Sequence, residues 1–291
     1  MDALRVGLVG AGPWARTVHA PALAAHAGVD FAGVWTRRPT DLADAHGTTA
    51  FPTFAALLAE VDAVALAVPP SVQGVLAVEA AEAGRHLILD KPLADALPAG
   101  ERVAAAVAAA AVASTTVFTL RFHPPVREFL AGFSGPADAA TTASARWLSG
   151  AALGGPYAAS RWRAERGALL DVGPHLVDLL DAALGEIVAV DFAHRGDPDL
   201  WRIGLRHVGG ASSTLVLSRG IPVDPTVMEV TAYGSVGSHR LTSRPDDPRA
   251  GYGAMLDELL ADIRARRLDG PYSAARSLHV QRVLAEVEAR V

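Results

Sequence analysis

The sequence predicts two domains: an α/β domain with a doubly wound parallel sheet, then an α+β domain whose sheet is mostly antiparallel. Three observations predict this. Strand and helix patterns alternate through residues 1–121, and after about Phe122 they give way to runs of strands joined by short turns. The first strand also ends in a glycine turn that opens directly into a helix. A chain of 291 residues fits two domains, expected over residues 1–121 and 122–291.

In the first domain, apolar runs at Arg5–Val9, Val29–Trp35, Ala63–Val68, His86–Leu89 and Thr115–Leu120 read as strands. Their apolarity is continuous rather than alternating, as expected of strands buried on both faces. Helical stretches lie between them at Pro13–His26, Thr40–His46, Phe54–Ala59, Val72–Ala83 and Leu97–Ala113. In the second domain, helical patterns fall at Leu170–Leu184, Tyr252–Arg267 and Ala274–Val291. Strand-like runs fall at Ile187–Ala193, Trp201–Val208, Ser212–Leu217, Val227–Tyr233 and His239–Thr242, some linked by turns such as Gly209-Gly210 and Gly234-Ser235.

Composition narrows the function classes. Hydrophobic residues make up 51% of the chain and charged ones 20%, enough for a substantial core. A net charge of −5 argues against nucleic acid as a partner. The absence of cysteine removes disulfides, thiolate metal sites and a thiol nucleophile. The N-terminal apolar stretch is broken by glycines and proline, unlike a secretory signal. The Ala-rich run Val103–Ala113 is too short to span a bilayer. A soluble, cytoplasmic protein acting on a small molecule, with neither nucleic acid nor membrane as partner, is the expectation.

The stretch Val6–Ala15 carries the most information. Gly10, Gly12 and Ala15 occupy the three positions of a dinucleotide-binding βαβ fingerprint, with Ala in place of the third Gly. The first allows the tight turn, the second lets a pyrophosphate approach the backbone, and the third lets helix pack on strand. Pro13 and Trp14 lie in the same turn and are assigned to the cofactor with it. The bland alternative is a glycine turn that binds nothing.

The second strand ends at Trp35, followed by Thr36, Arg37 and Arg38. An NAD site would place a carboxylate there for the ribose 2′-hydroxyl. Here a hydroxyl and two guanidinium groups suit a 2′-phosphate instead, so NADP is expected, with NAD as the alternative.

Two further segments carry chemistry. Asp90-Lys91-Pro92 closes the His86–Leu89 strand and sets Lys91 at the carboxyl end of the sheet, where open α/β sheets bind ligands. In Asp171-Val-Gly173-Pro-His175-Leu-Val-Asp178, Asp171 reads as a helix N-cap. His175, four residues on, then shares its face as a general-base candidate. The competing readings are an ordinary strand-end ion pair and a capped helix with a core histidine. Metal binding by Asp171, His175 and Asp178 is not expected, because no convincing fourth ligand accompanies them.

In this order and spacing, the glycine fingerprint, Asp90-Lys91-Pro92 and the Asp171–Asp178 string resemble the glucose–fructose oxidoreductase / inositol dehydrogenase / MocA family over nearly the whole chain. The family's triplet usually reads Glu-Lys-Pro. Pro69-Pro70-Ser71 and Arg121-Phe122 also look like family positions. The resemblance implies an N-terminal Rossmann domain and a C-terminal open-faced sheet that commonly makes subunit contacts, hence a homo-oligomer. It implies that Lys91 hydrogen-bonds the reacting oxygen, His175 exchanges its proton and Asp171 orients substrate and imidazole. The dinucleotide would then contact Gly10, Gly12, Pro13, Trp14, Ala15, Thr36, Arg37, Arg38, Pro69, Pro70, Ser71, Gln73, Asp90 and Lys91. Trp162, Arg163 and Arg166 either line a substrate pocket or pack as surface.

Three departures stand out. Gly74 replaces a frequent His, with Gln73 beside it as a partial substitute; Thr119 lies near a frequent Asn; and the usual glycine run is reduced to Gly167. The expected activity is NADP-dependent oxidation or reduction at a secondary alcohol or carbonyl of a sugar, cyclitol or related polyol. The alternatives are a catalytically silent dinucleotide sensor and a relative that turns the redox step to glycosidic cleavage.

Overall fold

The computed structural model describes residues 3–38, 40–133, 140–155, 160–235, 237–242 and 247–291. The chain divides into two units, one of residues Met1–Phe122 and Asp247–His279, the other of His123–Asp246 and Val280–Val291.

In the first unit, β1 (Leu4–Val9), β2 (Val29–Trp35), β3 (Thr49–Ala50), β4 (Ala63–Leu66), β5 (His86–Leu89) and β6 (Ser114–Thr116) form a parallel sheet. The strand order is β3-β2-β1-β4-β5-β6. A turn of widened π helix, Ala15–His19, runs into α1 (Ala20–Ala25) after β1. The other crossovers carry α2 (Leu42–Ala45), α3 (Phe54–Glu60), α4 (Pro70–Glu82) and α5 (Leu97–Ala110).

Alternate residues of each strand serve opposite cores. Val6, Leu8, Ala63, Ala65 and Ile88 point into one hydrophobic cluster, and Val9, Val64, Leu66, Leu87 and Leu89 into the other. That two-sided burial is why the strands read as unbroken apolar runs. The run expected as a strand over Thr115–Leu120 is shorter. Phe118 N–H donates to the Thr116 carbonyl at 2.6 Å, the chain turns, and Thr119–Phe122 winds as 3₁₀ helix.

The second unit contains α6 (Pro124–Ala131), β7 (Ala140–Leu148), α7 (Arg161–Asp171) and α8 (Gly173–Leu184). Then come β8 (Ile187–Gly196), β9 (Leu200–His207), β10 (Ser212–Ser218), β11 (Val227–Gly234) and β12 (Gly237–Leu241). The sheet runs β12-β11-β7-β10-β9-β8, antiparallel at every pairing except β7 with β10. The sequence reading missed β7, the strand that joins the two halves of the sheet, as well as α6 and the start of α7. One sheet face is apolar, with Leu205, Leu215, Leu217, Met228 and Val230 buried. The other bears the Arg146–Glu229 ion pair at 3.1 Å and exposed Phe192 and Tyr233.

Residues 247–279, expected in the second domain, pack in the first unit instead. The reason is hydrophobic. Along α9 (Pro248–Ala265), Tyr252, Met255, Leu256 and Leu259 complete the core that holds Val6 and Leu8. Ala274 and Leu278 of α10 (Ala274–Glu288) join the cluster on the opposite face. Each buried Met or Leu side chain among them gains about 1.5–3 kcal/mol. Among the described residues, no helix is long and apolar enough to cross a membrane.

Candidate functional site

In the first unit, the loops leaving β1, β2, β4 and β5 share the carboxyl edge of the sheet. From β1 the chain steps outward through β2 and β3, then returns to the opposite side of β1 for β4. A ligand crevice in an open α/β sheet forms at that reversal.

Gly10 sits at its base with φ +112°, and a Cβ there would lie 2.3 Å from the Ala67 carbonyl oxygen. Only glycine meets both conditions. Gly12 is different: a Cβ there would meet nothing within 4 Å, so the space beside its backbone is open. Arg16 N–H donates to the Gly12 carbonyl at 3.1 Å, which starts the helix. Ala15 is fully buried against the sheet. Pro13 and Trp14 form the first turn, whose N–H groups have no intrahelical acceptor. An open cradle beside a helix N-terminus fits a dinucleotide pyrophosphate.

After β2, Arg37 and Arg38 are exposed, as a phosphate site requires. The Thr36 hydroxyl, expected to donate to that phosphate, donates instead to the Arg38 carbonyl. Sequence reasoning missed Arg16 here. Its Nε donates to the Ala11 carbonyl at 3.2 Å, and one terminal nitrogen reaches Thr40 Oγ1 at 2.9 Å and Asp41 Oδ1 at 2.6 Å. The hydrogen bond from Arg16 holds the Asp41 carboxyl below the usual carboxylate range.

After β4, Pro69 and Ser71 are exposed and Pro70 opens α4. Gln73, expected at the cofactor, is 1% exposed and has another task. Its Nε2 donates to the carbonyls of Asp90, Pro92 and Leu93 at 2.7, 3.1 and 3.0 Å, and its Oε1 accepts from Asp90 N–H at 2.8 Å. The side chain therefore fixes the backbone on both sides of Lys91. A Cβ at Gly74 would approach the Ala94 methyl at 3.3 Å, so the close packing of α4 leaves little room for a large side chain there. Asp90 Oδ1 accepts from Lys91 N–H at 2.8 Å, the Lys91–Pro92 peptide is cis, and Lys91 is half-buried.

Beneath the glycine turn lies a pair that the sequence did not signal. Tyr252 Oη and His19 Nδ1 share a hydrogen bond of 2.8 Å, both side chains fully buried. Burial pushes His19 down to about 3, so its imidazole is neutral. Burial, then the Asp90 charge, raises the Tyr252 phenol, which stays protonated.

In the second unit, Asp171 is not the N-cap expected of it. It ends α7, and α8 begins two residues later behind Val172 with no side-chain cap. The capping carboxylate of this segment is Asp199. Its Oδ2 accepts from Ala168 N–H at 2.6 Å beneath Gly167, where φ is +64°. Asp171 is gripped by two guanidinium groups instead, Arg163 Nε at 3.1 Å and Arg219 Nε at 2.8 Å, and Arg219 also donates to the Arg163 carbonyl at 3.1 Å. His175 stacks on Trp147, ring centroids 5.8 Å apart and planes 18° from parallel. Of the three tryptophan and arginine candidates, Trp162 lies under the Arg163 guanidinium at 4.4 Å, and Arg166 pairs with Glu288 at 3.2 Å.

Residues 4–118 match the model of an oxidoreductase family with an NAD-binding Rossmann fold. GenD2 from gentamicin A biosynthesis, solved in complex with NAD, is similar at 20% identity over 100% of this chain and 94% of that one, with a TM-score of 0.85. The WlbA dehydrogenase from Bordetella pertussis, solved with NADH and UDP-GlcNAcA, is similar at 22% identity over 100% and 98%, with a TM-score of 0.83. KijD10, a 3-ketoreductase from Actinomadura kijaniata solved with TDP-benzene and NADP, is similar at 18% identity over 99% and 98%, with a TM-score of 0.78. At these identities the likeness is one of fold.

Proposed function

We propose that the chain, whose residues 4–118 match an oxidoreductase family model with an NAD-binding Rossmann fold, is a member of the glucose–fructose oxidoreductase / inositol dehydrogenase / MocA family and interconverts a secondary alcohol and a carbonyl on a sugar, cyclitol or related polyol with NADP(H). The observation that carries this reading is the glycine turn at the sheet reversal, where Gly10 can be only glycine and Gly12 leaves an open cradle. The residues holding the dinucleotide are Gly10, Gly12, Pro13, Trp14 and Ala15 in that turn, Arg37 and Arg38 after β2, and Pro69, Pro70 and Ser71 at the start of α4.

A nicotinamide dinucleotide bound there would supply hydride-transfer chemistry to the substrate carbon. The protein's own groups do the rest. The Lys91 ammonium donates a hydrogen bond to the reacting oxygen, favouring the charge that develops on it. His175 takes the hydroxyl proton in oxidation and returns it in reduction. Asp171, its charge matched by Arg163 and Arg219, orients the substrate hydroxyls. Exposed Phe192 and Tyr233 on the open face of the second sheet support self-association as a homo-oligomer.

A panel of polyols, sugars and their ketones, followed by NADPH absorbance, tests the reading. The wild type is expected to turn over at least one member. His175→Ala is expected to lower kcat about 10²–10⁴-fold while NADPH still binds. A wholly inert panel with tight NADPH binding overturns the enzyme reading in favour of a dinucleotide sensor. Undiminished turnover by the variant overturns the role of His175.

A further inference from the structure

We propose that Arg16, on the helix that follows the glycine turn, grips the 2′-phosphate of NADP, and that Asp41 is the internal counter-ion which that phosphate displaces. The inference rests on the dinucleotide reading and deepens it.

Three facts place the Arg16 guanidinium. It is tied at Nε to the Ala11 carbonyl, inside the fingerprint itself. It reaches across to Thr40 and Asp41, in the loop that follows β2. In this fold the adenosine ribose lies between those two segments. Arg16 therefore spans the place where the two cofactors differ, by one phosphate.

Chemistry decides what the pair is for. Asp41 presents a carboxylate to Arg16 at 2.6 Å, with 77% of the Asp41 side chain exposed. An ion pair so wetted contributes little to folding. Its geometry is that of an anion site already filled by a weak ligand. A phosphate dianion offers more charge and more acceptors than one carboxylate, and guanidinium binds it through two parallel hydrogen bonds. Arg37 and Arg38, exposed in the same loop, add charge of the same sign. Thr36 is engaged with the Arg38 carbonyl, whereas the Arg16 guanidinium is held at the site by Ala11, Thr40 and Asp41. NAD lacks the phosphate, so in its presence Arg16 stays with Asp41.

The test needs no substrate. Dissociation constants of NADP⁺ and NAD⁺ are measured by calorimetry for the full-length wild type, Arg16→Gln and Asp41→Asn. Arg16→Gln, at an exposed position, is expected to weaken NADP⁺ about tenfold more than it weakens NAD⁺. Asp41→Asn removes the competing carboxylate and is expected to tighten NADP⁺ several-fold relative to NAD⁺. An NADP⁺/NAD⁺ ratio unchanged by both substitutions, with both cofactors still bound, overturns the role of Arg16 and leaves the dinucleotide reading standing. Failure of the wild type to bind either cofactor overturns both.

Discussion

His19 is a histidine kept from titrating. Its folded-state value of about 3 lies below the ordinary 6.5, because burial disfavours the cation. As pH falls below about 6.5, the unfolded chain takes up a proton that the folded chain refuses. Stability is therefore full above about 6.5 and drains between there and about 3, with a slope of at most about 1.4 kcal/mol per pH unit for this group. Thermal melts across that range are expected to show the decline, and His19→Gln to flatten it. A variant that melts with the wild-type pH dependence would remove His19 as the cause. Nothing in the sequence marked His19, since its partner Tyr252 lies 233 residues away. Gly10, Gly12 and Ala15 were legible because their constraint is local, set by one strand, one turn and one helix. Asp171 was misread because its spacing from Pro174 and His175 imitates a cap, while the arginine that buries it, Arg219, comes from a distant strand end.

Elements show the same division between local and distant causes. Strands β1, β2, β4 and β5 of the first sheet were legible from apolarity, whereas β3, the two exposed residues Thr49–Ala50, carries no apolar run and was missed. β7 was missed because Ala140–Leu148 mixes Ala, Thr and Ser with one Arg, and its place in the sheet comes from partners far along the chain. The loop carrying Lys91 belongs to this scale too, since α4 holds it through Gln73. Gln73→Leu removes hydrogen bonds to half-buried Asp90 and to the buried carbonyls of Pro92 and Leu93, and leaving each of the two buried carbonyls without this donor costs about 1–3 kcal/mol. A fall in Tm of roughly 5–10 °C is expected. A melting point within a degree of the wild type would show that the loop holds itself.

For the whole molecule, the sequence reading treated the chain as two consecutive blocks, and the fold does not. Its first unit is interrupted between Phe122 and Asp247 and closed by residues up to His279. Periodicity identifies α9 as a helix but cannot say which core its Tyr252, Met255 and Leu256 fill. A fragment of residues 1–122 is therefore expected to expose the surface those side chains cover, to lose near-ultraviolet dichroism and to bind no NADPH. The same fragment joined by a short flexible linker to residues 247–279 should regain both properties. Cooperative melting of the shorter piece would refute the dependence. The interruption also has a consequence in time. During synthesis the ribosome must release the chain as far as His279 before the first unit has all its segments, and as far as Val291 before the second does. Both cores stay open on the nascent chain until those late segments emerge, a window in which holding chaperones have something to grip.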